Sequence, residues 1–334
     1  MHYRRLGASN LQVSALCLGT MMFGDQTGAD EAGAIVADAR DLGVNFIDTA
    51  DVYTKGASET MLGQLLRGQR DHWVLATKLG NRMSGRVNES HYSRVWMLRE
   101  VDASLARLQT DRIDVLYLHR DYEGMNLEEP LRALDTLMRA GKLRAWALSN
   151  FRGWRIAEAV RLARDLGLPG PVACQPYYNL LNRVPEVEIL PACAHYGVGV
   201  VPYSPIARGV LTGKYLPGEP PPADTRAGRG DRRIAETEFR EESLRIAQRL
   251  QAHAQAKGVT LAQFATAWVL HHHAVSSVIA GPRTLAQWQA YAPALDIVLD
   301  ADDEALVDAL VPPGHPSTPG YTDPAYPLHP RRLG

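Results

Sequence analysis

Short apolar runs of four to seven residues alternate with longer amphipathic stretches along most of the chain. The runs Ala15–Leu18, Asn45–Asp48, Trp73–Lys78, Ile113–His119, Leu143–Ser149, Val172–Gln175, Val198–Pro202 and Ser277–Ala280 read as eight strands. Between most of them lies one segment with apolar residues at i, i+3 and i+4, the spacing of a single helix face. Ala32, Ile35, Val36, Ala39 and Leu42 group this way. So do Val101, Leu105 and Leu108, and again Leu131, Leu134, Leu137 and Met138. Gly43, Gly141, Gly167 and Gly197 stand just past helical patterns, where a left-handed residue ends a helix. The runs AWALSN and VGVVPYS are nearly continuous apolar, as strands buried on both faces should be. Strict alternation of strand and helix implies a parallel sheet. A count of eight favours a closed (β/α)8 TIM barrel over an open doubly wound sheet of five or six strands.

Two segments fall outside the repeat. Met1–Val13 reads as a short hairpin with turn chemistry at Gly7–Asn10. Leu216–Arg233 is rich in Pro, Gly and Arg and has no periodicity. Its composition would suit a domain linker, but one further strand cannot build a second sheet, so it reads as a long loop on the active face. The predicted organisation is one domain: a hairpin over 1–14, a barrel over 15–311 and an extended tail over 312–334 that holds seven prolines.

Composition narrows this picture only by exclusion. Of 334 residues, 46% are apolar and 22% charged, which is ordinary globular usage. Lys+Arg and Asp+Glu number 36 and 37, a net charge of −1, so no global field recruits nucleic acid or an anionic membrane. The N-terminus MHYRRLGASN has no apolar signal core. Cys17, Cys174 and Cys193 are too few and scattered for a disulfide framework or a zinc site. A soluble, cytoplasmic protein of a reducing compartment is expected, with a small-molecule partner and no metal.

Residues at the C-terminal ends of barrel strands face the active site. The second strand ends at Asp48, with Tyr53 following on the loop; the third ends at Lys78 and the fourth at His119. Taken singly, each has an ordinary reading as a cap, a solvated cation, a satisfied histidine or a packing aromatic. Together, on three consecutive strands, they form a chemistry. A buried lysine needs a carboxylate partner, and Asp48 is on the neighbouring strand. A cation beside Tyr53 favours its phenolate and lowers a pKa that is ordinarily about 10. Such a phenol can give a proton to an alkoxide, while His119 hydrogen-bonds a carbonyl oxygen. The set suits carbonyl reduction by hydride from a cofactor.

These residues lie in motifs that resemble the aldo-keto reductases: GVNFIDTADVY with Ser58–Glu59 and Leu62–Gly63 downstream, ATK at Ala76–Lys78, and LHRD at Leu118–Asp121. The resemblance runs from Leu18–Gly19–Thr20 to Gln287. It implies an NADP(H)-dependent barrel enzyme with Asp48, Tyr53, Lys78 and His119 as its tetrad and Tyr53 as general acid/base. It further implies Gly19, Thr20 and Asp48 near the nicotinamide, and Ser149, Asn150 and Gln175 on its carboxamide. Tyr203 would stack on the ring. Ser204, Ile206, Arg208, Leu211 and Gly213 would contact pyrophosphate, and Gly281, Arg283, Thr284 and Gln287 the adenosine 2′-phosphate. Arg283, before a helix N-terminus, also suits a phosphate on its own chemistry. After Gln287 the family commonly has an acidic or amide residue and then Asn; here Trp288–Gln289–Ala290–Tyr291 stands instead, with Gln289 as the substitute. No G-x-G-x-x-G follows the first strand, so a dinucleotide would bind without that fingerprint.

Weaker signals complete the reading. His271–His273 point about 100° apart on a helix and do not converge on one ion. Arg226, Arg229, Arg232 and Arg233 read equally well as a phosphate clamp on the long loop or as a solvated loop. Phe23, Arg120 and Tyr122 are candidates for the substrate mouth, where Arg120 would favour polar or anionic substrates. Besides carbonyl reduction, two functions remain open: an NAD(P)-dependent sugar or alcohol dehydrogenase, and a redox-sensing regulatory subunit that binds the cofactor.

Overall fold

The computed structural model describes residues 1–326; the part of the predicted tail beyond them lies outside the described residues. The hairpin is formed by β1 (Tyr3–Arg5) and β2 (Gln12–Ser14), paired antiparallel. Eight parallel strands follow: β3 (Leu16–Gly19), β4 (Phe46–Asp48), β5 (Val74–Leu79), β6 (Ile113–Leu118), β7 (Leu143–Ser149), β8 (Ala173–Gln175), β9 (Gly199–Val200) and β10 (Val278–Ala280). Each predicted strand is present within one residue at each end, except the seventh. There the regular ladder covers only Gly199–Val200, although N–H bonds from Val201 and Tyr203 carry the pairing onward past Pro202. The sheet runs β10-β3-β4-β5-β6-β7-β8-β9. Its two edges meet through a Val200–Val275 bridge and an N–H bond from Ile279 to the Pro202 carbonyl at 3.0 Å.

The helices α1 (Ala29–Asp41), α2 (Ala57–Leu65), α3 (Arg94–Leu108), α4 (Glu128–Arg139), α5 (Gly153–Asp165) and α6 (Ile189–Tyr196) each follow one strand. The last units are more elaborate than the simple alternation predicted. Between β9 and β10 stand α7 (Arg232–Thr237), α8 (Glu241–Ala256) and α9 (Leu261–His271), and α10 (Leu285–Gln289) and α11 (Ala301–Leu310) follow β10. The unperiodic loop therefore ends two residues early, because Asp231 caps α7 by accepting from the Ile234 N–H. All four glycines expected past helix ends have positive φ.

Two apolar layers hold the barrel. The larger lies between sheet and helices; the smaller fills the interior with Cys17, Phe46, Ala76, Val115, Ala147, Ala173, Val201 and Ile279. Leu6 and Val13 of the hairpin are fully buried in that inner layer, so the hairpin plugs the lower end of the barrel. The opposite end is left to the strand C-termini and the long loop.

Gly7 sets how closely the plug can approach. Its φ is +60°, and a Cβ there would stand 2.5 Å from Gly197 O and Gly199 N and 2.6 Å from Val172 O. These are backbone atoms, and the Ala8 N–H is bonded to Gly197 O at 2.6 Å, so nothing can retreat. Gly7→Ala is expected to cost about 2–3 kcal/mol through overpacking and a disfavoured φ. A lowered urea midpoint at unchanged slope would show it; an unchanged midpoint would contradict it.

Candidate active site

Strand periodicity builds the site. Side chains alternate faces, so residues two positions beyond the inner apolar layer also point inward. Asp48 follows Phe46, Lys78 follows Ala76, Ser149 follows Ala147, Gln175 follows Ala173 and Tyr203 follows Val201. His119 stands two past Tyr117, while Gly19 and Gly281 follow Cys17 and Ile279. Gly19 leaves space that no side chain could take, since a Cβ there would lie 2.6 Å from Ile279 Cγ2. Tyr53 is brought in by the turn Tyr53–Gly56, in which Thr54 and Lys55 have φ of 49° and 54°. Left-handed conformations at non-glycine residues persist only where the surroundings hold them, and they cluster at functional sites.

The tetrad converges. The Lys78 ammonium is fully buried and donates to Asp48 Oδ1, to the Thr49 carbonyl at 2.8 Å and to the Tyr53 hydroxyl at 3.1 Å. Gln175 Nε2 donates to the other Asp48 oxygen at 3.0 Å. The Tyr53 and His119 rings meet edge-on, 6.0 Å between centroids. Asn150 donates to the His119 carbonyl at 3.0 Å and accepts from the Tyr203 hydroxyl at 2.9 Å.

Burial and charge set the protonation states. Burial alone would lower Lys78, but Asp48 and Tyr53 overcome it and hold the ammonium above its ordinary value. Burial raises the Asp48 carboxyl, opposed chiefly by Lys78. Tyr53 departs from the sequence expectation: burial outweighs the pull of Lys78, so its phenol lies above its ordinary value, not below it. The phenol therefore keeps its proton at neutral pH. His119 is pushed well below its ordinary value by burial and by the charges of Lys78 and Arg120, and is neutral.

Above these residues opens a cavity of about 440 Å³. Of the residues expected at a cofactor, Gly19, Thr20, Asp48, Ser149, Asn150, Gln175, Tyr203, Ser204, Ile206, Arg208, Gly281, Arg283 and Gln287 line it. Leu211, Gly213 and Thr284 do not. Leu211 packs in the core, Gly213 turns the chain against Gln251 and Thr284 caps α10. Arg226, Arg229 and Arg233 of the long loop and α7 also line the cavity, whereas Arg232 points to solvent and pairs with Glu236. Arg229 reaches Gln26 at 2.9 Å, bridging loops 203 residues apart. Arg208 pairs with Glu238, Arg226 with Asp231 and Arg233 with Asp323. Lys214, Arg229 and Arg283 form no ion pair among the described residues and leave their charge to the cavity. Lys214 was missed in the sequence, although it directly follows Gly213 in a motif already marked.

Four expected positions are corrected. Gln289 and Trp288 do not face the cavity: both donate to Asp38 on α1, at 2.8 and 3.0 Å, and Ala290 and Tyr291 stand at the wall instead. Arg120 lies one residue off the inward parity. It is held between the Tyr122 and Tyr326 rings, 5.3 and 5.1 Å away, and donates to the Ala325 carbonyl. Phe23 is fully buried in the core and Tyr122 donates to the Gly80 carbonyl, so none of the three mouth candidates lines the cavity. Tyr326 of the tail does, with Met21 and Met22. No sequence signal marked it, because a proline-rich tail has no period that fixes where it lies.

The comparisons with known proteins agree with this architecture. Residues 15–312 match the model of the Aldo/keto reductase family. The chain is 38% identical over 303 residues to a "Probable voltage-gated potassium channel subunit beta" of Arabidopsis thaliana, covering 89% of this chain and 92% of that protein. A protein of the same description from Oryza sativa subsp. japonica is 38% identical over 304 residues, with the same coverage. The "Uncharacterized oxidoreductase YrpG" of Bacillus subtilis (strain 168) is 33% identical over 333 residues, covering 96% of this chain and 99% of that one.

The neutrality of His119 has a signed consequence for stability. Its folded pKa is depressed below 6.5, so under mild acid the unfolded chain binds a proton that the folded chain refuses. Stability from this site is present above pH 6.5 and is lost as pH falls below it. His119→Gln is expected to flatten the fall in unfolding free energy between about pH 6.5 and 5, by at most about 1.4 kcal/mol per pH unit. Parallel profiles for the two proteins would mean that His119 titrates normally.

Proposed function

The chain belongs to the aldo/keto reductase family, and we propose that it is an NADP(H)-dependent oxidoreductase reducing an aldehyde or ketone to an alcohol. The observation that carries this reading is the junction of a protonated phenol, a buried ammonium and a neutral imidazole at the floor of one basic-rimmed cavity.

The residues present fit a nicotinamide dinucleotide. Ser149, Asn150 and Gln175 offer amide and hydroxyl groups at the floor, and Tyr203 a flat wall stacked on Tyr177 with centroids 5.7 Å apart. Lys214, Arg229 and Arg283 offer uncompensated charge to phosphates at the rim. Bound there, the cofactor would supply the hydride. The chain's own groups handle the proton. Tyr53 holds it at rest and delivers it to the carbonyl oxygen as negative charge develops there. The neutral His119 ring donates a hydrogen bond to that oxygen and selects its orientation. Lys78 stabilises the phenolate left behind, Asp48 keeps Lys78 charged, and Gln175 fixes Asp48. In the reverse direction the same phenolate accepts the proton of an alcohol, as a sugar or alcohol dehydrogenase requires.

The names of the two plant relatives support a second reading, a regulatory subunit whose bound cofactor informs a partner protein. Both readings use the same tetrad and rim; they separate on turnover.

Two measurements test the proposal. In a panel of aryl aldehydes, methylglyoxal and aldoses, NADPH oxidation is expected, and Tyr53→Phe should lower kcat by about 10²–10⁴-fold with NADPH affinity retained. Full activity in Tyr53→Phe would overturn the role of Tyr53; tight NADPH binding without any turnover would favour the regulatory reading. Arg283→Ala should weaken NADPH by about 10-fold or more, the loss of a charge-assisted phosphate contact, and leave NADH little changed. Equal losses for both cofactors would remove Arg283 as the source of NADP preference.

A further inference from the structure

The turn that carries Tyr53 rests on buried polar groups that the proton transfer does not use. Ser58 and Glu59, at the start of α2, are both fully buried. The Ser58 hydroxyl lies 3.0 Å from that of Thr20 and 2.9 Å from that of Thr49, and it donates to the Thr20 carbonyl. Thr49 is the residue whose carbonyl receives Lys78. Glu59 reaches the opposite way. One oxygen accepts from the hydroxyl of Thr77, the chain neighbour of Lys78, at 2.6 Å; the other accepts from Arg107 Nε at 2.7 Å. Arg107, on α3, also donates to Glu100 at 2.5 Å and to Ser104 at 3.1 Å.

Arg107 closes directly on the turn. Gly56 has φ +92°, and a Cβ there would lie 2.8 Å from Arg107 Cδ. Asp51, two residues before Tyr53, is fully buried with neither carboxyl oxygen partnered. Two carboxyl groups, those of Glu59 and Glu100, thus accept from one guanidinium. Burial, with Glu59 and Glu100 nearby, pushes the Asp51 carboxyl well above the usual carboxylate range. A buried ion cluster is a weak source of net stability, since apolar packing serves as well. What a forked, charge-assisted contact supplies is direction. Here it ties the helix after Tyr53 to the strand of Lys78 and clamps three consecutive left-handed residues, Thr54, Lys55 and Gly56.

The geometry points to Glu59 and Arg107 as positioning residues that hold the Tyr53 phenol at its distance from the Lys78 ammonium. This inference rests on the proposed role of Tyr53 as proton donor.

Steady-state kinetics and amide hydrogen exchange together test it. Arg107→Met should lower kcat by about 10–100-fold, as a misplaced acid does, with KM and the NADPH dissociation constant within about threefold. Arg107→Lys, which keeps the charge and loses the fork, should recover part of the rate. Amides of the segment Tyr53–Leu62 should exchange faster in both. If Arg107→Met does not fold, Arg107→Lys and Glu59→Gln with native circular dichroism carry the test, each expected to lose kcat by about fivefold or more. Folded variants with kcat within about twofold of the parent and unchanged exchange would overturn the assignment. Equal loss of cofactor affinity and rate would mark a general structural role and also overturn it. If the parent protein turns over no carbonyl, the functional proposal fails by itself. Exchange in Tyr53–Leu62 then decides the positioning role, with unchanged rates counting against it.

Discussion

A lysine ammonium with no exposure to solvent is the constraint around which this barrel is arranged. Removing such an ion from water costs several kcal/mol unless partners surround it, and here every partner comes from a different place. Asp48 comes from the neighbouring strand, the Thr49 carbonyl from the turn above it and the Tyr53 hydroxyl from the loop beyond. Gln175 comes from the far side of the barrel, 127 residues on, to hold the second Asp48 oxygen. The register that pairs Asp48 with Ala76, and Lys78 with Tyr117, is therefore not free to slip by one residue. A slip would turn Lys78 out of the barrel and leave Asp48 buried without its cation.

The same reasoning explains why the phenol needs no lowered pKa. As the proton donor proposed above, Tyr53 would have to hold its proton until negative charge appears on the substrate oxygen. Burial favours the protonated phenol, and Lys78 favours the phenolate once it forms. In the proposed reaction the two influences act at different moments. A phenol already ionised by Lys78 at rest would be the better base and the poorer acid.

Charge at the rim follows a different rule from charge at the floor. The floor pairs its ions completely. The rim pairs Arg208, Arg226 and Arg233 with carboxylates and leaves Lys214, Arg229 and Arg283 without any among the described residues. That selective pairing lets a chain with a net charge of −1 present a strongly basic edge to one cavity. It also distinguishes arginines that shape the wall from cations whose charge remains for an anion.

Where the sequence was legible, a period carried the information. Eight apolar runs set the strands, and their C-terminal ends marked Asp48, Lys78 and His119; Ser149 and Gln175, which the same step of two turns inward, were marked only through the resemblance. Arg120 shows the same rule in reverse, for adjacency to His119 suggested the mouth although its parity points it away. Beyond the strand ends no period operates. Gln289 turned to Asp38, and Tyr326 reached the cavity wall, through contacts with residues far away in the chain. The Glu59–Arg107 contact is of this kind too, 48 residues apart between two helices. The Ser58–Glu59 dipeptide was visible in the motif, but its purpose was not, because a motif records which residues are present and not what they brace. Strand periodicity names the groups at the floor of such a site. What holds them at working distance lies in helix-to-helix contacts that only the folded chain brings together.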